Sequence, residues 1–201
     1  MIRLLLADDQ ALVRGALAAL LGLAGALEVV AQVGAGDEVL DAARMQRVDV
    51  ALLDVEMPGM DGIEVCDLLR RHLPDTRSMI VTTFGRPGYL RRAIEAGARG
   101  FVVKDTPAQE LAAAVRSVHA GQRVIDPTLA TQSLLDGMNP LTEREQQVLR
   151  AALTGAPVNE MATRVHLSAG TVRNYLSSAI GKTHTSTRVE AAQVAQRRGW
   201  L

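Results

Sequence analysis

The chain has 201 residues, and its 22 basic and 22 acidic side chains give a formal net charge of zero. A hydrophobic content of 48% is enough to build packed cores and argues against a disordered chain. If the charge is evenly spread, neutrality argues against a strongly basic nucleic-acid binder, and an aromatic content of 2% argues against an extended base-stacking surface.

Residues 1–121 alternate between short apolar runs and longer helical patterns, which is typical of βα repeats. The apolar runs, rich in Val, Ile and Leu, predict five strands at residues 2–7, 28–33, 48–53, 79–82 and 100–103. The segments between and after them predict helices at residues 11–23, 38–47, 62–72, 89–96 and 107–120. These repeats predict an α/β domain with a five-stranded, parallel, flavodoxin-like doubly wound sheet and helices on both faces.

The remaining residues predict a linker and then an all-α helix-turn-helix domain. Residues 122–139 lack long-range periodicity, so we expect a linker with one short helix at residues 128–135. Residues 140–201 have no strand pattern, and capping residues delimit four helices, with a helix-turn-helix at residues 158–182. The residues that begin these helices are Thr142 with Glu145, Pro157, Ser168, and Thr187 with Glu190.

Polar residues stand at the carboxyl ends of four predicted strands. Asp8 and Asp9 follow the first strand, and Asp54 follows the third. Thr82 ends the fourth strand, and Lys104 follows the fifth. The carboxyl ends of parallel strands meet at one edge of a sheet, so the three aspartates converge if the first and third strands are neighbours. Clustered carboxylates repel one another unless a cation neutralises them, and Mg²⁺ prefers oxygen ligands of this kind.

These five residues together suit transfer of a phosphoryl group to an aspartate. A carboxylate can attack phosphorus, Lys104 supplies positive charge, and Thr82 supplies a hydroxyl donor. Each residue alone has an ordinary structural explanation: an acidic pair after a strand often caps a helix, and a lone lysine is usually solvated. Their combination at successive strand ends favours the functional interpretation.

Residues 1–120 resemble the receiver domain of response regulators, through the segments LLLADDQ, LLDVEMPGMDGIE, IVTTF and AGARGFVVKD. The resemblance implies that Asp54 is the phosphoacceptor. It also implies a Mg²⁺ or Mn²⁺ site formed by Asp9, Asp54 and the backbone carbonyl of Glu56, with Asp8 acting through water.

The same resemblance implies a switch beside the phosphorylated residue. Thr82 and Lys104 would hold the phosphoryl oxygens, Thr82 would move toward the phosphate, and the aromatic side chain of Phe101 would turn inward. Many receivers have a proline in a cis peptide directly after the lysine, but Asp105 stands here, so we expect no cis bond. Phe84 lies beside the site, and we hypothesise that its bulk shields the phosphorus and prolongs the life of the phosphate.

Residues 139–201 resemble the LuxR-type helix-turn-helix domain of NarL/FixJ regulators, through LTEREQQVL, NEMATRVHLSAGTVRNYLSSAIGKT and RVEAAQVAQRRGW. TTFGRPGY, GTVRNYLS and the ending RGWL are most similar to the DesR-like branch, which includes regulators of membrane-lipid desaturation. Apolar residues of the third helix of this domain form one stripe that we expect to pack on the preceding helix: Val172, Leu176, Ala179 and Ile180.

The opposite face of that helix is predicted to enter the major groove of double-stranded DNA. Arg173, Asn174 and Ser177 lie on it, and arginine and asparagine read guanine and adenine by bidentate hydrogen bonds. Thr171 and Lys182 are candidate phosphate contacts. Since many relatives have lysine where Ser177 stands, we expect modest affinity for each monomer and more dependence on dimerisation. The final helix, residues 187–198, is implied to contact a second copy, to close the domain core, or both.

The leading prediction is a DNA-binding transcriptional response regulator switched by Mg-dependent phosphorylation of Asp54. A partner histidine kinase would donate the phosphoryl group, and the phosphorylated protein would dimerise and bind paired promoter half-sites. The resemblance favours a dimer through the first and fifth helices over one through the fourth and fifth. Slow autodephosphorylation without enzymatic turnover is expected.

Two alternative functions remain open at this point. One is a metal-dependent phosphatase, although Glu56 stands where such enzymes usually have an aspartate as general acid. The other is an atypical regulator whose acidic pocket is intact but unused.

The charged residues are unevenly distributed along the chain. Residues 1–138 carry 14 basic and 18 acidic side chains, whereas residues 139–201 carry 8 basic and 4 acidic ones, so neutrality excludes neither a cation site nor a DNA reader.

Cys66, the single cysteine, is expected to be a buried apolar side chain, which favours a reducing compartment. Residues 1–8 lack a signal-peptide pattern, and the longest uncharged stretch is too short to span a membrane. We therefore expect a cytoplasmic protein with no membrane partner.

Overall fold

A computed structural model describes residues 1–83, 87–135 and 139–201, and the chain divides into two compact units. Among the described residues, the first unit contains residues 1–83 and 89–131, and the second contains residues 87, 88 and those from 132 onward. Within the described residues, no helix has both the length and the apolar character that a membrane span requires. Phe84, for which the sequence suggests a shielding role, lies outside the described residues.

The first unit contains one sheet of six parallel strands in the order β2-β1-β3-β4-β5-β6. The strands are β1 (Ile2–Ala7), β2 (Leu27–Val33), β3 (Val50–Leu53), β4 (Arg77–Thr82), β5 (Gly100–Val103) and β6 (Val124–Ile125). The first five confirm the predicted parallel, doubly wound arrangement. The order also confirms that the first and third strands are neighbours, as the convergence of the aspartates requires.

Helices connect these strands. They are α1 (Ala11–Leu23), α2 (Val39–Met45), α3 (Gly62–His72), α4 (Pro87–Glu95) and α5 (Ala108–His119). The bounds of α1 and α3 agree with the prediction. The helix predicted over residues 38–47 is shorter, because a 3-10 turn at Gly36–Glu38 precedes it and Arg47 adopts a positive φ of 47°.

The sheet separates two apolar cores because alternate strand residues point to opposite faces. In β1, Leu5 and Ala7 belong to the core that α2, α3 and α4 cover. Leu4 and Leu6 belong to the core that α1 and α5 cover. Cys66 is fully buried in the first of these cores, and burial raises the pKa of its thiol to about 12, so the predicted apolar role is confirmed.

The segment expected to be a linker begins with a structured part. Its strand β6 pairs with β5, and Ile125 lies opposite Phe101 in the ladder. A helix, α6 (Pro127–Leu135), follows, and Leu129 of this helix is buried in the core of the first unit. The sheet therefore has one strand more than the five predicted, and the predicted short helix begins at Pro127.

Residues 139–201 of the second unit form four helices. They are α7 (Glu143–Ala152), α8 (Val158–Arg164), α9 (Ala169–Thr183) and α10 (Arg188–Arg197). Both predicted capping boxes are present: the Thr142 hydroxyl accepts from the Glu145 amide, and the Thr187 hydroxyl accepts from the Glu190 amide. Ser168 caps α9 as predicted. Apolar residues of all four helices pack into one core with the Trp200 ring.

Candidate functional site

Three carboxylates converge at the carboxyl-end edge of the central strands. Oxygen atoms of Asp8, Asp9 and Asp54 all lie within 4.8 Å of one another. Backbone pairing explains this convergence, because the Asp54 amide donates to the Ala7 carbonyl at 2.9 Å and so extends the β1–β3 ladder by one residue. Asp8 and Asp54 are 3% and 5% exposed, whereas Asp9 is exposed. The predicted cluster is therefore a half-open acidic pocket.

The ammonium group of Lys104 lies between two of these carboxylates. Its Nζ is 2.7 Å from Asp8 Oδ2 and 2.8 Å from Asp54 Oδ2, and only 10% of the lysine side chain is exposed. Burial lowers the pKa of Lys104, but the hydrogen bonds to Asp54 and Asp8 outweigh that effect and hold the pKa above its usual value. The pocket thus combines acceptor oxygens with a permanent positive charge.

The loop after β3 holds Asp54 in one orientation. The Val55 amide donates to Asp54 Oδ1 at 2.7 Å. Asp61 begins α3 with a capping box that includes Glu64. Gly62 passes so close to the strand end that a Cβ at this position would lie 2.0 Å from the Asp54 carbonyl oxygen. Gly62, the second glycine of the MPGMDG segment, is therefore needed for a close backbone approach, and this approach positions the Asp54 side chain.

Two further predicted site residues lie in the neighbouring strands β4 and β5. Thr82 ends β4 and is 3% exposed, and its carbonyl accepts a hydrogen bond from the Lys104 amide at 2.9 Å. Phe101 lies in β5, and its ring is 1% exposed, so the aromatic side chain is inside the core. Glu56 follows Asp54 by two residues, and its side chain is exposed.

Helix α9 of the second unit has the two faces that the sequence predicts. Val172, Leu176 and Ala179 are buried in the core of the unit, and the partly buried Ile180 packs against it. The opposite face exposes the residues predicted to read bases: Arg173, Asn174 and Ser177. The Thr171 hydroxyl is half-buried near the beginning of the helix and lies 2.8 Å from the Ser168 hydroxyl.

Lys182 has a partner that sequence reasoning did not identify. Its Nζ donates to Oε2 of Glu145 at 2.7 Å, and Ser178 donates to Oε1 of the same carboxylate at 2.6 Å. Glu145 is only 4% exposed in its side chain, although it belongs to a capping box at the start of α7. The pairing joins residues 37 positions apart, so the local sequence offered no signal for it beyond the two opposite charges.

Comparison with known proteins identifies both units. Residues 4–116 match the response regulator receiver domain, and residues 139–195 match the family of bacterial regulatory proteins of the luxR type. The chain belongs to the response regulators with a LuxR-type DNA-binding domain. The first unit is thus a receiver domain, and α7 to α10 form the DNA-binding domain of a transcriptional response regulator. This family regulates transcription and does not turn over a substrate, which decides against the phosphatase alternative.

Full-length relatives support this assignment. The chain is 41% identical to the uncharacterized transcriptional regulatory protein YvfU and 40% identical to the transcriptional regulatory protein DesR, both of Bacillus subtilis, over all of each chain. It is 35% identical to the DNA-binding transcriptional activator DevR/DosR of Mycobacterium tuberculosis, over 97% of this chain and 94% of that one. The resemblance to the DesR-like branch is therefore confirmed.

Solved structures share the architecture. The response regulator ChrA of a heme-sensing two-component system matches with a TM-score of 0.60 at 28% identity, over 100% of this chain and 98% of its own. The response regulator RcsB, solved in a complex with DNA, matches with a TM-score of 0.67 at 22% identity over 98% of each chain. At that identity the second likeness establishes the fold alone.

Proposed function

We propose that Asp54 accepts a phosphoryl group from a partner histidine kinase in a Mg-dependent reaction, and that phosphorylation promotes dimerisation and promoter binding. The observation that carries this proposal is the convergence of Asp8, Asp9 and Asp54 at one sheet edge, where the Lys104 ammonium contacts Asp8 and Asp54. Such a pocket offers an acceptor oxygen, ligands for a hard cation and a charge for the incoming phosphoryl oxygens.

The donor set fits a hard divalent cation. Three carboxylates lie within 4.8 Å, and oxygen is the ligand atom that Mg²⁺ prefers, with Mn²⁺ accepting the same set. We assign Asp9, Asp54 and the backbone carbonyl of Glu56 as direct ligands and Asp8 as a ligand through water. When bound, the cation would neutralise charge that develops on the phosphoryl oxygens.

Transfer of the phosphoryl group requires no general base, because the Asp54 carboxylate attacks in its ionised form. A bond forms between the Asp54 oxygen and phosphorus as the bond between phosphorus and the kinase histidine nitrogen breaks, and the departing imidazole takes a proton from water. Lys104 would exchange its contact with Asp54 for one with a phosphoryl oxygen. The Thr82 hydroxyl would donate a hydrogen bond to a second phosphoryl oxygen. Phe101 would transmit the resulting conformational change to the neighbouring surface.

Helix α1 supports dimerisation through the first and fifth helices. Its outward side bears only apolar and small residues, and Leu12 and Leu23 are 87% and 84% exposed. Arg116 of α5 donates to the Ala24 carbonyl at 2.6 Å and so ties the two helices together. An uncharged helical face of this kind fits the same face of a second copy better than it fits water.

We propose that α9 reads DNA with Arg173, Asn174 and Ser177, which form its exposed polar face, and that Thr171 contacts a phosphate. Lys182 was predicted to contact phosphate as well. Since its ammonium pairs with Glu145, we assign it the additional task of anchoring α9 to α7.

The decisive experiment combines phosphorylation, dimerisation and DNA binding. The full chain is treated with a small acyl phosphate and Mg²⁺, and intact mass, sedimentation and affinity for selected duplexes are measured. We expect one phosphoryl group on wild type, none on Asp54→Asn, and dimerisation and tighter DNA binding only in wild type. Equal DNA affinity with and without phosphorylation would favour the regulator with an unused pocket.

A matched pair of arginine variants tests the DNA-reading face. Arg173→Ala should accept the phosphoryl group normally but lose about tenfold or more in DNA affinity, because one bidentate base contact contributes ~1–3 kcal/mol. Arg144→Ala removes another exposed arginine, in α7, and should retain affinity within about a factor of three. Equal losses in both variants would show that only net charge matters.

A further inference from the structure

A second polar cleft lies at the edge of the receiver sheet opposite the aspartates. It has a volume of about 480 Å³ and is lined by Arg70, Arg77, Arg99 and Arg123 among other residues. Arg77 begins β4, whereas Thr82 ends it, so the cleft and the acidic pocket are separated by roughly 16 Å of strand. Nothing in the proposed phosphorylation mechanism uses this cleft.

Strand pairing brings three of these arginines together. Gly100 lies opposite Val124 in the ladder, which places the residues that directly precede these strands, Arg99 and Arg123, about 5 Å apart at their Cα atoms. The Arg99 amide donates to the Ser78 carbonyl at 2.8 Å, next to Arg77 in β4. Arg77 begins β4, Arg99 directly precedes β5 and Arg123 directly precedes β6, so the three arginines lie at the same end of the sheet.

Within the part of the chain that the structure describes, Arg77, Arg99 and Arg123 have no ion-pair partner. Arg70 pairs with Asp67 at 2.5 Å, and Glu95 is the one carboxylate in the lining of the cleft. Across the described ranges, no carboxylate forms an ion pair with Arg77, Arg99 or Arg123. Like charges held together in this way repel, and a bound anion would relieve the repulsion.

We propose that this cleft binds the diphosphate group of a small anion, either inorganic pyrophosphate or a nucleoside diphosphate. Arginine is the side chain best suited to bidentate recognition of phosphate. Three guanidinium groups that have no ion-pair partner among the described residues match the charge of a diphosphate. The volume lies within the range of small-molecule sites. Pro74 and Ile94 add apolar surface that a base or ribose can contact.

Binding would stabilise the attachment of β6 to the sheet. Arg123 directly precedes this two-residue strand, the Val124 amide donates to the Arg99 carbonyl at 2.9 Å, and the Asp126 amide donates to the Phe101 carbonyl at 3.2 Å. An anion that joins Arg99 to Arg123 would hold both strands in this pairing. Since β6 precedes the segment that leads to the DNA-binding domain, anion binding in the cleft would stabilise the chain just before that segment.

The test uses the full chain in a chelating buffer without Mg²⁺, titrated calorimetrically with pyrophosphate and, in a separate arm, with guanosine diphosphate. We expect saturable binding with one site, and slower hydrogen exchange of the Val124 and Asp126 amides in the bound protein. Arg99→Gln and Arg123→Gln should each weaken binding by about tenfold through loss of a charge-assisted contact. Arg47→Gln removes an exposed arginine outside the cleft and should bind like wild type.

The two arms and the controls separate the outcomes. Equal affinity for both anions supports recognition of the phosphates alone, and tighter binding of guanosine diphosphate supports a nucleotide. Arg99 and Arg123 are both exposed, so circular dichroism should show that the two glutamine variants are folded. The proposal is overturned if the cleft variants bind the two anions as tightly as wild type does. It is also overturned if chloride at matched ionic strength slows exchange of the Val124 and Asp126 amides to the same extent, or if duplex DNA is the only ligand whose binding depends on Arg99 and Arg123.

Discussion

Lys104 controls the charge balance of the acidic pocket at the scale of single residues. Its ammonium contacts two carboxylates that are almost fully buried, so Lys104→Met leaves Asp8 and Asp54 facing each other without a cation. We expect the receiver to lose about 3 kcal/mol of unfolding free energy, as when one partner of a buried ion pair is removed. Millimolar Mg²⁺ should restore part of this loss, because it supplies the missing positive charge.

Denaturant unfolding followed by circular dichroism measures this effect, with and without Mg²⁺ for each protein. Lys104→Arg retains the charge and serves as the control. If Mg²⁺ stabilises wild type and Lys104→Met equally, the lysine does not share the carboxylates with a cation, and the proposed arrangement is wrong.

Gly62 determines how closely the loop after β3 approaches Asp54. A methyl group at this position would lie 2.0 Å from the Asp54 carbonyl oxygen, which is backbone and cannot move aside cheaply. Gly62→Ala should therefore destabilise the receiver by about 1–3 kcal/mol and slow phosphorylation of the displaced Asp54. In Gly15→Ala the new Cβ meets nothing within 4 Å, so this variant should gain up to about 1 kcal/mol from helix propensity. Thermal unfolding and the rate of acyl-phosphate labelling distinguish the two.

Helix packing in the DNA-binding domain depends on one buried carboxylate at the scale of secondary-structure elements. Burial raises the pKa of Glu145, but hydrogen bonds from Lys182, Ser178 and Thr142 outweigh it and lower the pKa to about 2. Because the folded pKa lies below the usual value of 4.5, its contribution to stability is fully present above about pH 4.5. That contribution should be lost as the pH falls from about 4.5 to about 2.

Trp200 is the single tryptophan and lies in the core of this domain, so its fluorescence follows unfolding there. Glu145→Gln should cost about 2 kcal/mol at pH 7, the typical value of hydrogen bonds to a charged group, and should flatten the acid dependence. Glu160→Gln alters an exposed carboxylate of α8 and should do neither. An unchanged acid transition in Glu145→Gln would show that other carboxylates control acid unfolding.

Element positions were predictable where the sequence pattern and the tertiary contacts agree. The bounds of β1, β5, α1 and α3 follow from periodicity, and Asp8, Asp9 and Asp54 converge because parallel strands end at one edge. Strand β6 was not predicted, because two residues carry no alternation and only pairing with β5 makes them a strand. The Glu145–Lys182 pair and the arginine cleft were missed for the same reason: distant residues meet only in the folded chain.

At the scale of the whole molecule, the two domains carry opposite net charges. Residues 1–138 carry a net charge of −4 and residues 139–201 a net charge of +4, so the neutral chain joins an acidic receiver domain to a basic DNA-binding domain. An excess of this size on one DNA-binding domain supports only weak, salt-sensitive binding. Pairing two such domains on adjacent half-sites multiplies affinity without new contacts in either one. Regulation of DNA binding is therefore expected to act through the monomer–dimer equilibrium.

The outward face of α1 is the place to interrupt that equilibrium. Leu12→Lys introduces a charge where the apolar side chain is 87% exposed, so the monomer should remain folded and accept the phosphoryl group at the wild-type rate. Two copies related by a twofold axis would bring the new charges close together, so sedimentation should show a monomer after phosphorylation, with DNA affinity near the unphosphorylated level. Met45→Lys alters a comparably exposed apolar residue on α2, at 77%, and should dimerise normally. Dimerisation of phosphorylated Leu12→Lys at the wild-type concentration would move the interface away from α1 and toward the surface formed by α4 and α5.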